Sequence, residues 1–196
     1  MRASCLLDPP VSVAAIARDQ FTSISGVFRV RLASEPWELV GYSRLRHNVF
    51  CEEQRMFRDT DRDEHDPVAL PIVAVSYAAG MADEVVGAVR IYETSAGIWY
   101  GSRLAVAPEW RGVHGLAAGL IRAAVCNARG RGCDTFLATV QRQNVPLFRR
   151  LHWRSLGELT LHDRSHHLMS ADLAHYPPLE TFRSAQFAGT SSGMAS

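Results

Sequence analysis

Lysine is absent from the 196 residues, so all 21 cationic side chains are arginine. Arginine suits planar, two-pronged recognition of anions. A surplus of charge is also lacking: 20 aspartates and glutamates leave a formal net charge of +1. No global field therefore draws the chain to nucleic acid or to an anionic membrane. Cysteine is scarce. Cys5, Cys51, Cys126 and Cys133 include no CxxC pair, which argues against a zinc site. Scattered cysteines in a chain of this length read as reduced thiols, as expected of a cytoplasmic protein. No apolar run approaches the length of a membrane span. Asp8, Pro9 and Pro10 interrupt the first twenty residues before a secretory apolar core can form. Internal repeats are absent too.

What is present is a globular composition, 47% apolar and 21% charged. The length fits one domain that buries its core without staples. Residues 1–25 have no clean period and are expected to be an irregular arm. Residues 26–175 read as the domain. Residues 176–196, rich in Gly, Ser and Ala towards their end, read as a flexible tail.

Within the domain, residues 27–32 alternate as a strand. Ser34 can cap a helix with Glu35 and Pro36 in its first turn, running to about Phe50. An acidic, turn-rich stretch follows, with Asp59, Asp61, Asp63, Glu64, Asp66 and Pro67. Strands are expected at 72–79, 84–92 and 98–106. A helix is expected from Gly115 to about Arg129, its Leu116, Leu120, Ile121 and Val125 facing inward. A short strand at 135–140, a short helix at 146–151 and a hairpin from 153–161 and 167–172 complete a mixed α/β domain.

The informative segment is Ser102 to Leu120, SRLAVAPEWRGVHGLAAGL. A strand ends, a tight turn holds Arg111, Gly112 and Gly115, and a helix begins at once. Unpaired backbone N–H groups at a helix N-terminus favour anions. Glycines let the backbone approach a pyrophosphate closely. Arg111 adds a guanidinium fork for phosphate oxygens.

This segment resembles the signature of the GNAT superfamily of acyl-CoA-dependent acyltransferases, Arg-x-x-Gly-x-Gly/Ala after the fourth strand. Here it reads Arg111-Gly112-Val113-His114-Gly115-Leu116-Ala117, one residue longer before the matching glycine. The resemblance spans roughly 27–172. It implies the GNAT fold, a mostly antiparallel sheet of about seven strands flanked by helices and splayed between strands 4 and 5. It implies acetyl-CoA or another acyl-CoA as co-substrate, with the backbone of Leu104, Ala105 and Val106 on the pantetheine arm, the Arg111–Ala117 turn on the pyrophosphate, and Asn144 on the arm. It also implies transfer of an acetyl or other acyl group to a small-molecule amine. In many members a tyrosine on the next helix protonates the leaving thiolate. Aligning His152-Trp153 with the family's Gly-Phe puts Phe148 there, and Phe148 has no proton to give.

A narrower resemblance is to the acyl-homoserine lactone synthases, GNAT-fold relatives that use S-adenosylmethionine. It rests on Arg46-x-x-x-Phe50, Asp61-x-Asp63-x-x-Asp66, Gly87-x-x-Arg90 and Ser102-Arg103. Asp61 and Tyr100 stand where those enzymes carry glutamates, and Met56 where they carry tryptophan. By this resemblance Arg46, Phe50, Asp63, Asp66, Arg90 and Arg103 border the acceptor. Read physically, the acidic stretch is a loop tied down by arginines through exposed and individually weak pairs, or a binder of a cationic amine.

An amine nucleophile must lose a proton and a thiolate must gain one. Glu52, Glu53, Glu93, Tyr100 and His152 are the titratable groups near the expected cleft. Tyr100, on the fourth strand, is the candidate general acid, against the plainer role of a packed tyrosine beside Trp99. His162, His166 and His167 fit no zinc spacing and read as solvated hairpin residues. The last hairpin of GNAT folds lines the acceptor pocket, so His166 or His167, and in particular His167, is a candidate substrate contact. No metal is expected. A homodimer is possible, and a catalytically silent acyl-CoA-binding module is the remaining alternative.

Overall fold

The computed structural model describes residues 28–179. The expected N-terminal arm and most of the expected tail lie outside the described residues. Seven strands form one sheet: β1 (Phe28–Leu32), β2 (Leu70–Ala78), β3 (Met81–Ser95), β4 (Ile98–Val106), β5 (Thr135–Gln141), β6 (Trp153–Leu161) and β7 (Arg164–Ala171). Their spatial order is β1-β2-β3-β4-β5-β7-β6. Every neighbouring pair is antiparallel except β4 and β5, which run parallel. Three α-helices flank the sheet: α1 (Pro36–His47), α2 (Leu116–Arg129) and α3 (Val145–Arg150).

Strand alternation divides the core in two. One face carries Val89, Ile91, Phe136, Ala138 and Val140, packed on Leu116, Leu120, Ile121 and Val125 of α2 and on Phe148 and Trp153. The other carries Val73, Val75, Ala88 and Ala105 against Tyr42, Leu45, Val49 and Phe50. Helix α2 lies very close to the sheet: a Cβ on Gly87 would stand 2.7 Å from Leu120 Cδ1. A side chain there would force α2 outward.

The start of α1 differs from the sequence expectation. Glu35, not Ser34, is the N-cap, and Glu38 closes a capping box. Glu38 wins because its carboxylate accepts the N–H groups of Ser34 at 2.9 Å and Glu35 at 3.1 Å while pairing with Arg31. The far end also differs. The helix does not stop near Phe50 but widens into a π-helical turn over Asn48–Glu53. The last hairpin differs as well: β7 begins at Arg164, three residues earlier than expected. The turn is made by His162 and Asp163, both at positive φ (48° and 56°). His166 and His167 are therefore strand residues, 4% and 8% exposed, and not solvated turn residues.

Strands β4 and β5 pair only from Ile98–Thr135 to Gly101–Ala138. Beyond that β4 runs on to Val106 and β5 to Gln141 without each other, so the sheet splays open. The cause is visible on β4. Between Ser102 and Ala105 it carries one residue more than β3 uses, and Arg103 sits at φ 56°. That bulge bends β4 away from β5.

Candidate active site

The splay opens into two compartments. The first, about 590 Å³, runs along Leu104, Ala105 and Val106 to Arg111, Val113 and Ala117. The second, about 660 Å³, lies beyond Leu104 and reaches both faces of the sheet. Gln54, Leu104, Gln141 and Asn144 border both, so the compartments meet at the mouth of the splay.

The first compartment has the form of a slot for an extended, anion-ended ligand. Because β5 has turned away, backbone groups of β4 beyond Gly101 have no partner strand on that side. At the far end Gly115 is the N-cap of α2 at φ 84°, a conformation that glycine adopts without strain. The helix thus begins beside the slot, which Val113 and Ala117 line, and a helix N-terminus favours anions. Arg111 crosses the slot. Its guanidinium makes a two-pronged pair with Glu53, Nη1 to Oε1 at 2.8 Å and Nη2 to Oε2 at 2.5 Å. That pair holds the Glu53 carboxyl below its ordinary range. The π-turn after α1 is what brings Glu53 and Gln54 here.

The second compartment has two kinds of wall. Val89, Ile121, Ala124, Phe136, Phe148 and Trp153 form an apolar side towards α2. Phe148 packs edge-on against Trp153, centroids 5.0 Å apart. The opposite side is polar and aromatic: Arg90, Tyr92, Tyr100, Ser102, Thr139, Gln141 and His166. Tyr100 Oη and Thr139 Oγ1 share a hydrogen bond of 2.6 Å where β4 and β5 part. His65 stacks on Tyr92 at 4.2 Å.

The acidic loop forms the rim, and its ion pairs are not the exposed ones expected. Arg46 and Arg90 are 2% and 1% exposed. Arg46 Nε donates to Asp61 at 2.6 Å and Nη1 to Asp66 at 2.5 Å. Arg90 donates to Asp63 at 2.5 Å and 2.7 Å, to Asp66 at 2.6 Å, and to Ser102 at 2.8 Å. Arg103 donates to the Asp61 carbonyl and to Asp63, and its guanidinium lies 4.5 Å from the Phe57 ring centroid. Burial pushes the Asp66 carboxyl up, but hydrogen bonds from Arg46 and the charges of both arginines outweigh it, holding the group well below the usual range. Asp63 is lowered in the same way, chiefly by Arg90 against its own burial. Three carboxylates are thus engaged by three arginines, which leaves none of them to meet a cationic amine.

Of the residues singled out in the sequence, Leu104, Ala105, Val106, Arg111, Val113, Ala117 and Asn144 line the slot. Tyr100, Phe50, Asp63, Arg90 and Arg103 line the chamber. Leu116 is a core side chain, 1% exposed, and Gly112 and His114 are not lining residues. Arg46 and Asp66 lie beneath the rim. His167 is elsewhere: its Nδ1 pairs with Ser155 Oγ at 2.9 Å. Glu52, Glu93 and His152 also stand apart, Glu52 with His47, Glu93 accepting from the Gly97 N–H, and His152 stacked on His175. Sequence reasoning missed Gln54, Thr139 and Gln141. Strand parity around Tyr100 and β5 was the signal that could have found the last two. Among the described residues no group of three metal-ligating side chains converges, and no helix is long and apolar enough to cross a membrane.

The sequence matches the model of the acetyltransferase (GNAT) family over residues 31–153. This chain belongs to that family. Its GNAT fold is shared with solved structures of low sequence identity. Escherichia coli ElaA is 17% identical with a TM-score of 0.62, over 74% of this chain and 98% of that one. An acyl-CoA N-acyltransferase from Pseudomonas aeruginosa is 18% identical with a TM-score of 0.57, over 74% and 97%. The CoA-dependent acyl-homoserine lactone synthase BjaI is 20% identical with a TM-score of 0.55, over 67% and 74%. No curated protein matches the sequence. As a member of the GNAT family, the chain is an acyl-CoA-dependent acyltransferase.

Proposed function

We propose that this GNAT enzyme transfers an acyl group longer than acetyl from CoA to the amine of a small molecule. The observation that carries the reading is the junction of the two compartments at the splay. A donor lying in the slot brings its thioester to Leu104, where the chamber begins. Its apolar wall extends through Phe136 and Ala124 to Trp153, more room than a methyl group fills. Phe148 stands at the family's tyrosine position and belongs to that wall.

The chemistry rests first on positioning. Unpaired β4 amides polarise the thioester carbonyl and receive the developing negative charge. Arg111 leaves Glu53 for the pyrophosphate, which accepts the same two-pronged contact. Tyr100, aligned by Thr139, gives its proton to the departing sulfur. The rim of Asp63, Arg90 and Arg103 shapes the acceptor side.

The test is an acyl-CoA series from acetyl to octanoyl against a panel of primary amines, following release of the free thiol. Best turnover with a chain of four or more carbons supports the reading. A monotonic preference for acetyl sinks the chain-length part. Absence of thiol release with every pair sinks transfer itself. The buried Asp–Arg cluster favours one second reading, a lactone-synthase-like reaction, and turnover that requires S-adenosylmethionine would identify it.

A further inference from the structure

We propose that His166 is the base that takes the proton from the acceptor amine. The proposal rests on the acyl-transfer reading above and names a residue that the reading leaves open.

Strand parity places the ring. His166 lies directly across from Gln141 on β5, and opposed residues point to the same face. Gln141 shares its face with Thr139, and Thr139 holds Tyr100. His166 is therefore on the acceptor face with Tyr100, one strand (about 5 Å) from Gln141 at the mouth of the splay. His167, its neighbour, must point to the opposite face, where it meets Ser155.

The hydrogen bonding then sets the tautomer. His166 Nδ1 lies 2.9 Å from the carbonyl oxygen of Arg164. A carbonyl only accepts, so Nδ1 carries a proton. In the neutral ring Nε2 is left with its lone pair. Among the described residues Nε2 has no hydrogen-bond partner, although the residue is 4% exposed and lines the chamber. A buried imidazole with an open lone pair on the chamber wall is the kind of group a general base requires.

The carboxylates at the rim and in the slot are taken by arginines, and the other chamber imidazoles are packed against aromatic rings. Asp61, Asp63 and Asp66 are held by Arg46, Arg90 and Arg103. Glu53 is held by Arg111. His65 is stacked on Tyr92, and His162 packs edge-on against Phe57.

The step balances as follows. The amine nitrogen forms a bond to the thioester carbon, and the carbonyl electron pair moves to oxygen. The ammonium proton of the adduct passes to His166 Nε2. The oxyanion pair then re-forms the carbonyl as the C–S bond breaks, giving the amide; sulfur leaves with its electron pair, and the Tyr100 hydroxyl protonates it. Solvent returns a proton to Tyr100 and removes one from His166.

The experiment compares His166→Gln and His166→Ala with the wild type, using butanoyl-CoA and a panel of primary amines, with calorimetry of donor binding alongside. Expected is a fall in kcat of about 10²–10⁴-fold with donor affinity retained. Added imidazole should restore part of the activity in His166→Ala alone. Nitrogen-15 NMR of histidine-labelled wild type should show His166 in the Nδ1–H form, a readout that holds even where a variant fails to fold. Wild-type kcat in His166→Gln, or an Nε2–H tautomer, overturns the assignment and leaves acyl transfer standing. No thiol release by the wild type with any amine overturns both.

Discussion

Asp66→Asn removes one negative charge from a place where the structure cannot replace it. The Asp66 carboxylate bridges two arginines, accepting from Arg46 at 2.5 Å and Arg90 at 2.6 Å, and takes the Asp63 N–H at 2.9 Å. Both arginine side chains are almost wholly buried, 2% and 1% exposed. The amide keeps the shape but leaves three buried or half-buried cations against two carboxylates. Breaking one side of a buried pair costs about 3–5 kcal/mol, because the remaining charge stays desolvated. Asp66 itself is 17% exposed, so the lower half of that range applies. A loss of about 3 kcal/mol lowers the midpoint of thermal unfolding by roughly 6–12 °C in a chain of this size. Urea unfolding followed by circular dichroism measures it, with calorimetry confirming that the folded variant still binds an acyl-CoA. The pH dependence has a definite sign. The folded-state pKa of Asp66 lies below its unfolded value, so its stabilisation is complete above about pH 4 and vanishes as pH falls through the folded value. Asn at 66 should therefore flatten the acid limb of the stability profile. A loss under about 1 kcal/mol, with an unchanged acid limb, would show that the cluster is solvated in solution and that its burial does not govern the fold.

Three further outcomes test the slot and the chamber. Gly115→Asp should abolish acetyl-CoA binding by calorimetry, since it adds both a strained φ and a carboxylate at the phosphate end; Gly115→Ala carries the strain alone and should bind better than Asp. Undiminished affinity in folded Gly115→Asp would remove α2 from the donor site. Glu53→Gln should tighten donor binding about two- to fivefold, the worth of an exposed ion pair, because the pyrophosphate no longer competes with a carboxylate for Arg111. Weaker binding would instead make Glu53 a support for the arginine. Tyr100→Phe should lower kcat by about 10²–10⁴-fold at unchanged donor affinity; wild-type turnover would leave water or the amine as the proton source.

The order of strands and helices was legible in the chain because each signal is local. Alternation at 98–106 and the glycine turn before α2 act over a few residues. Gly115 reads as a helix start in sequence, and its φ of 84° shows why glycine is needed. The slot along β4 could be anticipated from the same segment, since β4, the turn and α2 are contiguous. The burial of the charged rim was not legible, because three separate segments build it. Arg46, Asp66 and Arg90 are 20 and 24 residues apart across their hydrogen bonds. Their spacing said that they belong together but not that they would be buried. Solvent exposure belongs to the packed sheet, not to the loop that carries the charges. The expected hairpin placed His162, His166 and His167 in its turn; His162 is there, but the other two are not. Register decided otherwise, because a strand that begins at Arg164 sends His166 to one face and His167 to the other. A one-residue shift would have exchanged them, and only the pairing of β7 with β5 fixes which imidazole meets the chamber.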